Sequence, residues 1–121
     1  MANKKTLVLG ATPDTSRYAY MAANRLVGKG HTIINVGIKQ GEVAGVVIEK
    51  PVTLHHDVHT ITLYIGINKQ PPLYQYVLDT KPKRIIFNPG TENPELEAMA
   101  EQQGIETIEA CTLVMLATGQ Y

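Results

Sequence analysis

Tryptophan is absent from this chain, and phenylalanine and cysteine occur once each. A lone cysteine, Cys111, excludes an intrachain disulfide, so a reducing cytoplasmic compartment is expected. Neither charge is in excess. Eleven basic and eleven acidic side chains give a formal net charge of +0, which leaves no electrostatic reason to expect nucleic acid or an anionic membrane as partner. Long hydrophobic runs are missing too. The opening MANKKTLVLGAT is basic and then apolar, like the front of a signal peptide, but its apolar run of about five residues is shorter than the roughly 7–15 of an h-region. No stretch approaches transmembrane length. Repeats, low-complexity tracts and linkers are also lacking. What remains is 121 residues with ordinary hydrophobic (44%) and charged (18%) fractions, expected to fold as one domain over 1–121.

Strand-like and helix-like pieces alternate along it. TLVLG (6–10) is short, β-branched and closed by glycine, as a buried strand would be. From Tyr18 to Lys29 the residues Ala19, Ala22, Ala23, Leu26 and Val27 share one helical face. Asp14, Thr15 or Ser16 offers an N-cap, and Gly30 a stop. HTIINVG (31–37) reads as a second strand before a glycine-rich turn. VVIEK (46–50) is a shorter strand candidate, and TITLYIGI (60–67) a stronger one. PPLYQYVLD (71–79) suits a helix with prolines in its first turn. KRIIFN (83–88) is another buried strand. Asn93 and Pro94 open a helix that stops at Gly104. ETIEA (106–110) is the last strand candidate, and CTLVMLATG packs as a final helix or strand.

Such alternation with short loops implies a doubly wound α/β fold, with a mainly parallel sheet of about five strands and helices on both faces. Ligands bind such sheets beyond the carboxyl ends of the strands, where the winding reverses. The segments to inspect are therefore 10–17, 36–41, 66–69, 88–92 and 110–112.

The first of these, GATPDTSR, carries the strongest signal. Gly10 lets the backbone turn sharply and approach a ligand. The amides of 12–17 would face outward at a helix N-terminus, where the dipole favours a phosphate. Arg17 adds a cation whose fork suits a diphosphate. The plainer alternative is a strand–helix connection with a solvated arginine. Other chemistry is excluded: no second or third glycine completes G-x-G-x-x-G, no acid ends the second strand to hold a ribose, and no P-loop is present.

LVLGATPDTSRYAYMAANRLVGKGHTIINVG resembles the opening of the small CoA-binding proteins with a Rossmann-like fold. Those proteins are related to the CoA-binding domain of the succinyl-CoA synthetase α subunit. In that family a glycine, a small hydroxyl residue, an arginine and a hydroxyl or aromatic residue recur in order, and here Gly10, Thr12, Arg17 and Tyr20 fill the places. GVVIEKPV (45–52) is similar to the family's glycine-led short strand. RIIFNPGTENPELEAMAEQQGIETIEACTLVML resembles its closing segment, including Pro89-Gly90, the turn at Asn93 and the cysteine after the last strand. Two departures stand out. Val36 is followed by glycine where the family has V-N-P, and the stretch 53–62 has no counterpart.

The resemblance implies coenzyme A as cofactor. Candidate cofactor-binding residues are Gly10, Ala11, Thr12, Pro13, Ser16, Arg17 and Tyr20 from the first loop and helix, and Val36 and Gly37 from the second strand tip. Gly66, Asn68 and Lys69 follow the fourth strand, and Asn88, Pro89 and Gly90 the fifth. His55, His56 and His59 form a tempting cluster for zinc or nickel, but on a strand they point unevenly, and no metal site is assigned. Cys111 has no base paired with it in sequence and reads as a small buried residue rather than a nucleophile. No carboxylate pair or triad can be assembled at the strand tips. The expected function is a non-catalytic CoA or acyl-CoA binding protein, cytoplasmic and without nucleic-acid or membrane partners. Any enzymatic role would need a partner, because the chain lacks room for a separate acyl-substrate domain; a homo-oligomer or a partner enzyme is the expected assembly. The rivals are an enzyme acting on a CoA thioester or nucleotide-linked substrate, with Cys111 as its candidate reactive group, and an NAD(P)-binding regulatory module.

Overall fold

The computed structural model describes residues 3–121. In chain order the elements are β1 (Thr6–Leu9), α1 (Tyr18–Gly28), β2 (Ile33–Val36), β3 (Glu42–Val43), β4 (Val46–Glu49), β5 (Thr60–Leu63), α2 (Tyr74–Thr80), β6 (Arg84–Phe87), α3 (Pro94–Gln102), β7 (Glu106–Glu109) and α4 (Thr112–Ala117). The strands form one sheet in the order β3-β4-β2-β1-β5-β6-β7. Every pairing is parallel except that of β3 with β4.

The four central strands β2, β1, β5 and β6 are buried at every position. Their period-two alternation sends neighbouring residues to opposite faces. Leu7 and Leu9 join the cluster holding Tyr76 and Val77 of α2 and Leu96 and Ala100 of α3. Val8 joins Ala19, Ala23 and Leu26 of α1 and Leu116 of α4. Helices therefore cover both faces. The small buried side chains Ala19, Ala22 and Ala23 let α1 lie close to the sheet. Asn93 caps α3 with its side-chain oxygen, which accepts the Glu95 and Leu96 amides, and Pro94 takes the first turn. The tail that was open between helix and strand is α4. Among the described residues no helix is long and apolar enough to cross a membrane.

The sheet has seven strands, not the expected five or so. The strand that the sequence did not announce, β3, lies at an edge, and the expected candidate ETIEA forms β7 at the other. β3 is a two-residue strand inside the glycine-rich turn, joined to β4 by Ala44 (φ 55°) and Gly45 (φ 81°). Two successive positive φ values fit the mirror-image turns that hairpins prefer. The buried Asn35 side chain of β2 donates to the carbonyls of Val43 and Val46, which staples this hairpin to the central sheet. β7 closes the other edge with a largely exposed pattern. β5 ends at Leu63, short of the expected 60–67. Gln70, 1% exposed, donates its side-chain amide to the carbonyls of Ile65 and Thr91 and so bends the chain away.

Candidate functional site

β2 flanks β1 on one side and β5 on the other, so the winding reverses between β1 and β5. At such a point the loops leaving two adjacent strands diverge and a crevice opens between them. Here that crevice is a cleft of about 1130 Å³ at the carboxyl ends of the strands. The range for small-molecule sites is roughly 300–1,000 Å³, so this volume suits an extended ligand.

The loop after β1 forms its floor. The amides of Gly10 and Ala11 both donate to the Val36 carbonyl, at 2.8 and 3.0 Å, pinning the loop to the tip of β2. That approach requires glycine opposite: a β-carbon on Gly37 would lie 2.5 Å from the Ala11 carbonyl oxygen. Beyond it the loop is tied by its own side chains. Thr12 Oγ1 accepts the Asp14 amide at 3.2 Å, and Asp14 Oδ1 accepts the Ser16 amide at 3.0 Å and the Ser16 hydroxyl at 2.7 Å. The Ser16 hydroxyl and amide hold the Asp14 carboxyl below its usual range, with Arg17 and Lys39 adding to the effect.

Arg17, rather than Asp14, Thr15 or Ser16, is the N-cap of α1, and its side chain makes no capping bond. The amides of 12–17 are therefore not a uniform outward row: those of Asp14, Ser16 and Arg17 are used within the loop, and Pro13 has none. The first turn of α1 carries no acidic residue, so its leading amides keep their donor capacity and the positive end of the dipole. Tyr18 and Ala19 of that turn lie on the cleft wall.

Of the residues singled out from sequence, Gly10, Ala11, Thr12, Pro13, Ser16, Arg17, Gly37, Gly66, Lys69, Pro89 and Gly90 all line this one cleft. Four do not. Val36 is fully buried in the core and contributes its carbonyl to the loop. Tyr20 packs against the α1 side of the core. Asn68 sits on an exposed 3₁₀ turn beside the wall. Asn88, 2% exposed, turns inward: it donates to Thr62 Oγ1 and the Leu63 carbonyl and accepts the Thr112 amide at 2.8 Å. Its role in the structure is to tie the tips of β5 and β6 to the start of α4.

The lining also includes Lys39, Ile38, Pro51, Tyr64, Leu73 and Thr91, which sequence reasoning missed. Ile38, Lys39 and Thr91 fall in the windows 36–41 and 88–92 that strand-tip logic had flagged without naming them; Pro51 and Leu73 carried no such signal. Arg17, Lys39 and Lys69 line the cleft, and neither ion pair among the described residues involves them. Asp14 is the one acid on the wall. Burial pushes the Tyr64 phenol up to about 12, so it stands in the wall as a neutral group.

The histidines do not converge. His55 pairs with Glu49 at 2.8 Å, His59 bonds Thr60 Oγ1 at 2.8 Å, and His56 is exposed. No group of three His, Cys, Asp or Glu among the described residues is placed to hold a metal ion. Cys111 is half-buried at the N-cap of α4 and is not part of the cleft wall.

A mostly parallel α/β sheet with a cleft at its reversal point defines a Rossmann-like domain. The family model described as "CoA binding domain" matches residues 4–117. The chain belongs to that CoA-binding family. An uncharacterized protein of known crystal structure is 54% identical over the full length of both chains, with a TM-score of 0.97. A Thermus thermophilus structure, cell-free ID.343, is 22% identical (98% of this chain, 91% of that one; TM-score 0.86). A hypothetical protein from Pyrococcus horikoshii OT3 is 21% identical (96% and 83%; TM-score 0.85). The last two are similar in fold alone. No curated protein matches.

Proposed function

We propose that this chain is a cytoplasmic, non-catalytic binder of CoA or an acyl-CoA, and that the ligand's diphosphate lies along residues 10–17 and the first turn of α1. One observation carries the reading. Arg17, Lys39 and Lys69 converge on a cleft whose single acid, Asp14, is tied back into the loop. An anion entering there meets three exposed cations and a helix N-terminus with little opposing charge. Ile38, Pro51, Ile65, Pro72 and Leu73 give the same cleft an apolar wall, suited to the adenine and the pantetheine arm. Cys111 stands off that wall, so no observation favours the thioester-enzyme alternative. A thermal-shift comparison of CoA, acetyl-CoA, NAD, NADP and ATP at equal concentration tests the reading. A ligand at a hundredfold excess over its Kd adds about 2.7 kcal/mol, and CoA should give the larger shift. A clear NAD shift with none from CoA would reverse it.

A further inference from the structure

We propose a second ligand site, for a small carboxylate with an apolar body, at the end of the sheet opposite the CoA cleft. This site does not depend on the CoA reading. A separate cavity of about 480 Å³ is lined by Lys4, Lys29, His31, Leu116, Ala117 and Tyr121. His31 precedes β2 and Gly37 follows it, which places the two ends about 20 Å apart at the usual strand rise.

His31 is 5% exposed, and its Nδ1 accepts the Lys4 amide at 3.0 Å. That bond puts the proton of the neutral ring on Nε2. Nε2 has no hydrogen-bond partner among the described residues, although the ring borders the cavity. Burial first, then Lys4 and Arg84, hold this imidazole below its usual pKa, which keeps the ring neutral with its Nε2–H as a donor.

Arg84 stands behind the same wall. It is 8% exposed, with its guanidinium carbon 4.4 Å from the Tyr121 ring centroid. Nε donates to Thr60 Oγ1, but Nη2 is sealed and unpartnered. Neither ion pair among the described residues involves Lys4, Lys29 or Arg84. Helix ends account for part of this charge. Lys29 closes α1, where the dipole favours a cation, and Lys4 Nζ donates to the Tyr121 main-chain oxygen. On the cavity wall the unpartnered donor left over is His31 Nε2, with the Lys29 ammonium on the same wall, while Arg84 Nη2 is sealed behind the Tyr121 ring and lies off the wall.

The rest of the wall is apolar: Leu116, Ala117 and the Tyr121 ring. Its volume falls within the usual range for small-molecule sites. A single anionic head on an apolar body matches both halves.

Benzoate is the probe, titrated into the full chain by NMR beside benzyl alcohol and inorganic phosphate. Saturable benzoate shifts centred on His31 and Tyr121 are expected, weakened about tenfold in His31→Gln and in Lys29→Ala, the loss of one charge-assisted hydrogen bond. Lys29 is exposed, so that variant carries the test if His31→Gln unfolds. The proposal is overturned if benzoate does not saturate, if neither folded variant weakens it, or if either control binds equally well.

Discussion

Gly10 and Tyr64 meet so closely where β1 and β5 part that a β-carbon on Gly10 would lie 2.9 Å from the Tyr64 carbonyl oxygen. Gly10 also sits at φ +101°, which L side chains rarely adopt. The two strands stay in register up to Leu9 and Leu63, and the cleft begins immediately beyond. Gly10→Ala is therefore expected to cost about 2–4 kcal/mol, from backbone strain and crowding together. Gly30 is the control: its φ is +88°, but nothing lies within 4 Å of an added β-carbon. Gly30→Ala should cost only about 1 kcal/mol. Urea midpoints at constant m would check this, and equal losses would mean that crowding at Gly10 contributes nothing.

Asn88→Ala should be more damaging to stability than to binding. It removes two donated bonds and one accepted bond from a buried position, leaving the Leu63 carbonyl and the Thr112 amide short of a partner. A loss of about 3 kcal/mol follows. Because the side chain points away from the cleft wall, CoA affinity in the folded variant should stay within about threefold of wild type, or roughly 0.6 kcal/mol. A large affinity loss without destabilisation would give Asn88 a direct contact instead.

Glu97 supplies a pH dependence with a definite sign. Burial first, then its contact with Glu109, holds its carboxyl above the usual range, while the Asn93 amide pulls the other way. An acid with a raised folded-state pKa favours the fold most when protonated. That contribution is complete below the unfolded value of 4.5 and is lost as pH rises through the folded value. Glu97→Gln keeps an acceptor for the Asn93 amide and removes the titration. Its stability relative to wild type should rise between about pH 4.5 and neutrality, read from melting temperatures across that window. A falling difference would mean that Glu97 supports the fold as a carboxylate.

The fold was legible where local signals agreed. LVLG followed by helical apolar spacing marked β1 and α1, and Asn93-Pro94 with Gly104 bracketed α3. β3 escaped because two residues between glycines become a strand only when Asn35, seven positions earlier than Glu42, staples them. The true end of β5 escaped because Gln70 decides it, while TITLYIGI is uniformly strand-like. In the candidate site, glycines and Arg17 were readable as local backbone chemistry. Pro51 and Leu73 come from distant segments, and only the strand order brings them to the cleft. Asn88 misled for the opposite reason: strand-tip position was visible, but side-chain direction was not.

Arg17 is exposed, forms no ion pair among the described residues, and reaches the cleft from the cap of α1. If it merely decorates the helix, Arg17→Ala should change stability by no more than about 0.5 kcal/mol and leave ligand binding unaltered. A diphosphate clamp predicts something different. Removing a charge-assisted hydrogen bond worth roughly 1.5–3 kcal/mol weakens CoA about tenfold to a hundredfold. Arg17→Lys should recover only part of this, because an ammonium keeps the charge and loses the two-pronged fork. Pantetheine lacks the diphosphate, so its affinity should respond far less to either variant. Isothermal titration of CoA and pantetheine against wild type, Arg17→Ala and Arg17→Lys separates the two cases. Equal CoA affinity in wild type and a folded Arg17→Ala would remove the arginine from the site, leaving Lys39, Lys69 and the α1 amides to hold any anion there.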